Sequence, residues 1–231
     1  AEYPLGVLRD RSAEAPPIAR AESDYRKETL DRLLHLDTDR APEAKLDPAA
    51  PTFNVKMAGF GGQGVLSMGV ILARAACAAG KFVSWYPSYG PEQRGGTANC
   101  GVVISGRPVG TPMVTEADVL VAMNRPSLEK FAGEVKPGGW LLYDAAIGEF
   151  PAPAGVRALA VPALELAKEG GTPRASNVAM VGVLAALGGF GLPDAAYREA
   201  IAANFSGKEK AAAQNEAVFA LARQWGERRK T

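Results

Sequence analysis

The sequence predicts an α/β protein: a mixed, mostly parallel Rossmann-like sheet flanked by helices, preceded by an extended N-terminal arm. Two observations carry this expectation. From Phe53 onward, short apolar runs alternate with segments of helical period, with no repeat and no low-complexity tract. Before Phe53 the chain is rich in proline (Pro4, Pro16, Pro17, Pro42, Pro48, Pro51) and charge, and it has too few branched apolar residues to form a core of its own. The chain is therefore divided into an arm, residues 1–52, and an α/β domain, residues 53–231.

Within the arm, Leu30, Leu33 and Leu34 form an apolar stripe over roughly residues 22–36, bounded by Pro17 and Pro42, and predict one short amphipathic helix. A helix this isolated is marginal in water unless its stripe docks. The expectation is an arm that reaches across a partner, with a flexible tail as the alternative. His35, the single histidine of the chain, falls on this helix and reads as a surface residue.

In the domain, Phe53 to Ala58 reads as a first strand, Val65 to Ala79 as a helix closed by Gly80, and Phe82 to Tyr86 as a second strand. Asn99 to Ser105, Val119 to Met123, Trp140 to Asp144 and Val156 to Val161 read as further strands. The first of these, soon followed by Arg107-Pro108, fits an antiparallel edge member. Asn177 to Leu187, Asp194 to Phe205 and about Lys208 to Arg229 read as helices.

Composition excludes several functions. The chain has 231 residues with 26 Lys and Arg against 25 Asp and Glu, so no global field recruits nucleic acid or an anionic membrane. No apolar run approaches a membrane span, and Ala1-Glu2-Tyr3-Pro4 lacks a signal pattern, which points to the cytoplasm. Cys77 and Cys100 lack the spacing of a metal or iron-sulfur motif and read as small apolar residues of a helix and a strand.

The residues with chemical content fall in two glycine-rich loops. Gly59-x-Gly61-x-x-Gly64 follows a strand and opens a helix, the setting in which glycines give a turn its backbone freedom and make room for phosphates at a helix N-terminus. Gly62 and Gln63 lie inside this loop, and the Gln63 amide offers a donor and an acceptor there. The second predicted strand carries no acid to take ribose hydroxyls, which argues against a dinucleotide; glycines that serve helix–sheet packing alone remain the bland alternative. The second loop gathers Tyr89, Glu92, Arg94, Gly95 and Gly96 and should share a rim with the first. Arg94 suits a phosphate or carboxylate with Glu92 orienting it, or the two form an internal ion pair. Further along, Asn124 ends one strand and is the better functional candidate, while Asp144 ends the next as either a loop cap or a ligand contact. No nucleophile–base pair, catalytic residue or metal-ligand set is evident.

The runs Gly59-Phe60-Gly61-Gly62-Gln63-Gly64-Val65 and Tyr89-Gly90-Pro91-Glu92-Gln93-Arg94-Gly95-Gly96 together resemble the paired signatures of the gamma subunit of 2-oxoacid:acceptor (ferredoxin) oxidoreductases, the pyruvate/ketoisovalerate oxidoreductase gamma family. The likeness extends over roughly residues 53–205, with the Asn124 strand end and the Ser176-Asn177 helix start; the arm does not match the family's usual short form. The resemblance implies a subunit working with alpha, beta and ferredoxin-like delta subunits, with room for a further electron-transfer subunit. It implies thiamine diphosphate, Mg and iron-sulfur clusters in those partners, and coenzyme A at or near this chain, held by Gly59, Gly61, Gly62, Gln63, Gly64, Tyr89, Glu92, Arg94, Gly95, Gly96 and Asn124. It leaves the 2-oxoacid open. Two other readings stand beside it: a purely structural subunit of the same complex, and a free-standing nucleotide-binding protein.

Overall fold

Val119 and Val121 contribute to one buried cluster and Leu120 and Ala122 to another, as a strand covered on both faces requires. Around this strand the computed structural model, which describes residues 44–88 and 97–230, places a six-stranded sheet. Its members are β1 (Phe53–Phe60), β2 (Phe82–Ser88), β3 (Thr97–Ser105), β4 (Ala117–Ala122), β5 (Val135–Asp144) and β6 (Arg157–Val161), in the order β2-β3-β1-β4-β5-β6. The chain divides into two units, Ala1–Arg40 and Ala41–Thr231, and the described residues belong to the second. The helix expected over residues 22–36, with His35, lies outside them.

Strands β1, β4, β5 and β6 are parallel, whereas β3 runs antiparallel to both of its neighbours, β1 and β2. The mixed, mostly parallel sheet is as expected, but the antiparallel strand is interior instead of at the edge. Its side chains explain the placement: Cys100, Val102 and Ile104 are buried on one face and Val103 on the other. Strand β2 takes the edge, with Pro87 in its length and Tyr86 exposed, features tolerated where one side of a strand is unpaired.

Six α-helices complete the described unit: α1 (Val65–Ala78), α2 (Arg125–Phe131), α3 (Ala163–Glu169), α4 (Ser176–Leu187), α5 (Asp194–Asn204) and α6 (Glu209–Glu227). Helices α1 and α3 to α6 bury Met68, Ile71, Leu166, Met180, Tyr197 and Phe219 with Met57, Val102 and Leu142 of the sheet. On the opposite face, α2 buries Leu128 and Phe131 against Leu120, Leu141 and Tyr143. Each large side chain so buried contributes about 1.5–3 kcal/mol of transfer free energy. Helix α4 crosses α6 at Gly182, where a Cβ would lie 2.6 Å from the Phe219 carbonyl oxygen. Residues just before β1 are tied to neighbouring turns at the same end of the sheet: Lys45 N–H donates to Gly80 O (3.1 Å) and Asp47 N–H to Gly106 O (2.7 Å). Among the described residues no helix is long and apolar enough to cross a membrane.

Candidate functional site

Parallel β1, β4, β5 and β6 all end on one rim, at Phe60, Ala122, Asp144 and Val161. Ligands of open α/β sheets bind beyond such carboxyl ends. Because β3 is antiparallel, it begins on this rim, with Thr97 paired to Phe60, and β2 ends there, with Ser88 paired to Asn99. Of the two residues that flank the second glycine loop, Thr97 therefore stands beside the first loop and Ser88 one strand further along the same rim. The loop itself, with Tyr89, Glu92, Arg94, Gly95 and Gly96, lies outside the described residues.

The first loop joins β1 to α1, and its glycines do different things. Gly62 (φ 92°) and Gly64 (φ 74°) adopt the left-handed backbone that side chains rarely accept. Among the described residues a Cβ on Gly62 would meet nothing within 4 Å, whereas one on Gly64 would lie 2.4 Å from the Asn177 Nδ2. Gly59 is a packing glycine, since its Cβ would fall 2.7 Å from Val65 Cγ2 and 2.9 Å from Met123 Cβ. Gly61 is exposed at the tip beside Gly62.

Helix α1 then starts at Gly64 with no side-chain cap and no acid in its first turn. Its leading N–H groups have no partners within the helix, and the helix dipole adds positive potential at the same point. This end of a 14-residue helix is chemically suited to an anion such as a phosphate. Asn177, in the first turn of α4, reaches the same place and donates from Nδ2 to Gly64 O (3.4 Å). Helix α4 also has no side-chain cap and no acid in its first turn.

Gln63 and Asn124 face inward. Gln63 Oε1 accepts from Phe60 N–H (2.7 Å) and from Asn124 Nδ2 (3.1 Å), while Gln63 Nε2 donates to Met123 O (3.0 Å). Asn124 Oδ1 accepts from Ser127 N–H (2.9 Å) and so caps α2, which has Pro126 in its first turn. Asp144 Oδ1 accepts from Ala146 N–H (3.0 Å), as a loop cap does. Burial raises the Asp144 carboxyl above its ordinary value, the Ala146 bond opposes this, and Glu165 adds to the rise.

Neither cysteine is at the rim surface. Cys100 is fully buried and packs against Gly69 of α1, and burial pushes its thiol up to about 12. Burial also raises the Cys77 thiol. Among the described residues no three His, Cys, Asp or Glu side chains cluster to hold a metal ion. A cavity of about 420 Å³ lined by Thr52, Asn54, Arg107, Glu116 and Lys136 lies at the other end of the strands. The Asn177–Gly64 contact had no local signal in the sequence, because it joins residues 113 positions apart.

Residues 54–225 match the sequence family described as pyruvate ferredoxin/flavodoxin oxidoreductase. The chain is 56% identical over 209 residues to ketoisovalerate oxidoreductase subunit VorA of Methanothermobacter marburgensis, a match covering 90% of this chain and 44% of that subunit. The chain thus spans somewhat under half the length of that relative. Among solved structures, it is similar to the gamma subunit of a keto/oxoacid ferredoxin oxidoreductase from Geobacter sulfurreducens, with TM-score 0.65 and 28% identity over 75% of this chain and 98% of that one. It is also similar to the 2-oxoglutarate:ferredoxin oxidoreductase of Magnetococcus marinus, solved with 2-oxoglutarate, coenzyme A and succinyl-CoA bound. There the TM-score is 0.69 with 28% identity, over 78% of this chain and 32% of that one.

Proposed function

The chain belongs to the pyruvate ferredoxin/flavodoxin oxidoreductase family, and from that premise we propose that it is the gamma-type module of a cytoplasmic 2-oxoacid:acceptor oxidoreductase. In this reading the module helps hold coenzyme A and closes over the active site of the assembled enzyme. The reaction converts a 2-oxoacid and coenzyme A to acyl-CoA and carbon dioxide, releasing two electrons and one proton. Identity of 56% across 90% of the chain to a ketoisovalerate subunit supports a branched-chain 2-oxoacid as the substrate.

The observation that carries the coenzyme A assignment is the uncapped N-terminus of α1 behind the open Gly61–Gly62 tip. Its first-turn N–H groups and dipole suit a phosphate of the coenzyme, and no described residue comes within 4 Å of a Cβ placed at Gly62. Arg94 would supply the counter-charge. Thiamine diphosphate, Mg and iron-sulfur clusters supply the decarboxylation and electron transfer. The family resemblance supports assigning these groups to alpha, beta and ferredoxin-like delta partners.

The test uses the anaerobically purified assembly and follows reduction of a viologen dye with each of several 2-oxoacids. Arg94→Ala should raise the KM for coenzyme A about tenfold or more, as expected for one lost charge-assisted hydrogen bond, and leave the KM for the 2-oxoacid within about twofold. Equal shifts in both constants would remove Arg94 from coenzyme binding. Loss of assembly with unchanged constants in the residual enzyme would favour a structural subunit, a second reading supported by the inward-facing Gln63 and Asn124.

A further inference from the structure

Gln63 and Asn124 stand at the rim, and their side chains hydrogen-bond to each other and to the backbone on either side of the loop. Gln63 is held at three points: Phe60 N–H at 2.7 Å, Asn124 Nδ2 at 3.1 Å and Met123 O at 3.0 Å. These partners lie on both sides of the loop. Phe60 is the last residue of β1, whereas Met123 and Asn124 are the turn from β4 into α2. Asn124 is itself fixed by its cap to Ser127 N–H at 2.9 Å and is 7% exposed. On the far side of the loop, Asn177 Nδ2 donates to Gly64 O at 3.4 Å. The loop is thus held from α2 on one side and from α4 on the other, by the carboxamides of Gln63, Asn124 and Asn177.

The chemistry of that choice has a consequence. A carboxamide supplies a donor and an acceptor without a charge. A glutamate at position 63 would accept the same two N–H groups at one oxygen, but it would put its other oxygen against the Met123 carbonyl. It would also place a negative charge beside the start of α1, where that charge neutralises the potential available to an anionic ligand. Glycines that give the tip its left-handed turns also leave it with the most conformational freedom to lose. An uncharged brace therefore sets the tip without spending the helix's positive end.

We propose that Gln63 and Asn124 form a neutral amide brace that positions the β1–α1 loop for its anionic co-substrate, and that neither is a ligand. They are positioning residues, acting through the backbone of Phe60 to Gly64. This rests on the coenzyme A reading above and deepens it by reassigning two of the candidate ligands.

The experiment uses the assembled enzyme with Gln63→Met and Gln63→Glu, read by amide hydrogen exchange and by steady-state kinetics. Phe60 N–H reports the brace directly, because its acceptor is the Gln63 side chain. Gln63→Met removes that acceptor and should speed exchange at Phe60 by about tenfold. It should raise the KM for coenzyme A with kcat within about twofold. Gln63→Glu keeps the acceptor and should keep Phe60 protected, yet it should raise the KM for coenzyme A at least as much, through its charge. Asn124→Asp, which keeps the α2 cap but not the donor to Gln63, should likewise affect the KM for coenzyme A more than kcat. Unchanged Phe60 exchange in Gln63→Met would overturn the brace whatever the kinetics show. The expected exchange pattern, with KM values for coenzyme A and 2-oxoacid moving together, would support the brace and overturn the coenzyme A reading instead. If Gln63→Met fails to assemble, Gln63→Glu and Asn124→Asp decide alone: wild-type KM values for coenzyme A in both would sink the proposal.

Discussion

Gly62 and Gly64 share a backbone conformation and differ in surroundings, so replacing each by alanine separates strain from collision. At Gly62, with φ 92° and no described residue within 4 Å of the added Cβ, the cost is that of the left-handed conformation, about 1–2 kcal/mol. At Gly64, with φ 74°, the same strain is joined by overlap with Asn177, whose Nδ2 and Cγ lie 2.4 and 2.8 Å from the added Cβ. Overpacking of this kind adds about 1–3 kcal/mol, for a total of about 2–5 kcal/mol. Asn177→Ala by itself loses a 3.4 Å hydrogen bond, about 0.5–1 kcal/mol. It also removes both close contacts and leaves only the Asn177 Cβ, 3.1 Å from the new methyl. On the Asn177→Ala background, Gly64→Ala should therefore fall back to about the Gly62→Ala cost, a coupling of about 1–3 kcal/mol. Equilibrium urea unfolding of the purified protein, followed by far-ultraviolet circular dichroism, measures all four variants. If Gly64→Ala and Gly62→Ala cost the same, or if the Gly64 and Asn177 changes are additive, the packing of α4 on the first loop is wrong.

Three further outcomes follow from buried groups. Cys100, fully buried with its thiol pushed up to about 12, should resist iodoacetamide at pH 8 in the native protein and label fully in urea, while half-buried Cys77 labels slowly; mass spectrometry distinguishes them. The Asp144 carboxyl is raised above its ordinary 3.8, so the unfolded chain ionises first and stability declines as pH rises from there through the folded value. Asp144→Asn keeps the acceptor for Ala146 N–H and should raise the urea midpoint at pH 7, with the gain fading below pH 4. Tyr197 is 1% exposed and its hydroxyl has no hydrogen-bond partner among the described residues, so Tyr197→Phe should match or exceed the wild-type melting temperature.

Elements with a long, uniform pattern were legible in the sequence, and their bounds differ from the observed ones by a few residues. Helix α4 is an example: Val178, Met180, Val181, Val183 and Leu184 are all buried, and a continuous apolar run of that length between Ser176 and Gly188 admits little else. The seven-residue helices α2 and α3 leave no periodic mark in the sequence, since two turns are too few for a period to emerge. For α2 the sign was present in Asn124 followed by Pro126, a cap followed by a proline in the first turn. The partners of Gln63 are not legible in the sequence, because Met123 and Asn124 lie 60 and 61 positions away and meet it only once β1 and β4 pair.

The missing acid after the second strand has a topological explanation. In a dinucleotide fold the second strand lies next to the first, so an acid at its end reaches a ribose bound over the glycine turn. Here β3 lies between β1 and β2, which sets their backbones about 10 Å apart at two strand spacings. An acid at the end of β2 would stand one strand too far from the β1–α1 loop. The position it would occupy in a dinucleotide fold is taken by the start of β3, where Thr97 pairs with Phe60. On its other side the loop meets β4 and Asn124, whose amide is already committed to Gln63 and whose oxygen caps α2. The same glycine spacing thus sits in a different neighbourhood. It keeps a helix N-terminus chemically suited to an anion, which any strand–glycine–helix turn provides, and lacks the neighbour that would make that end selective for a dinucleotide.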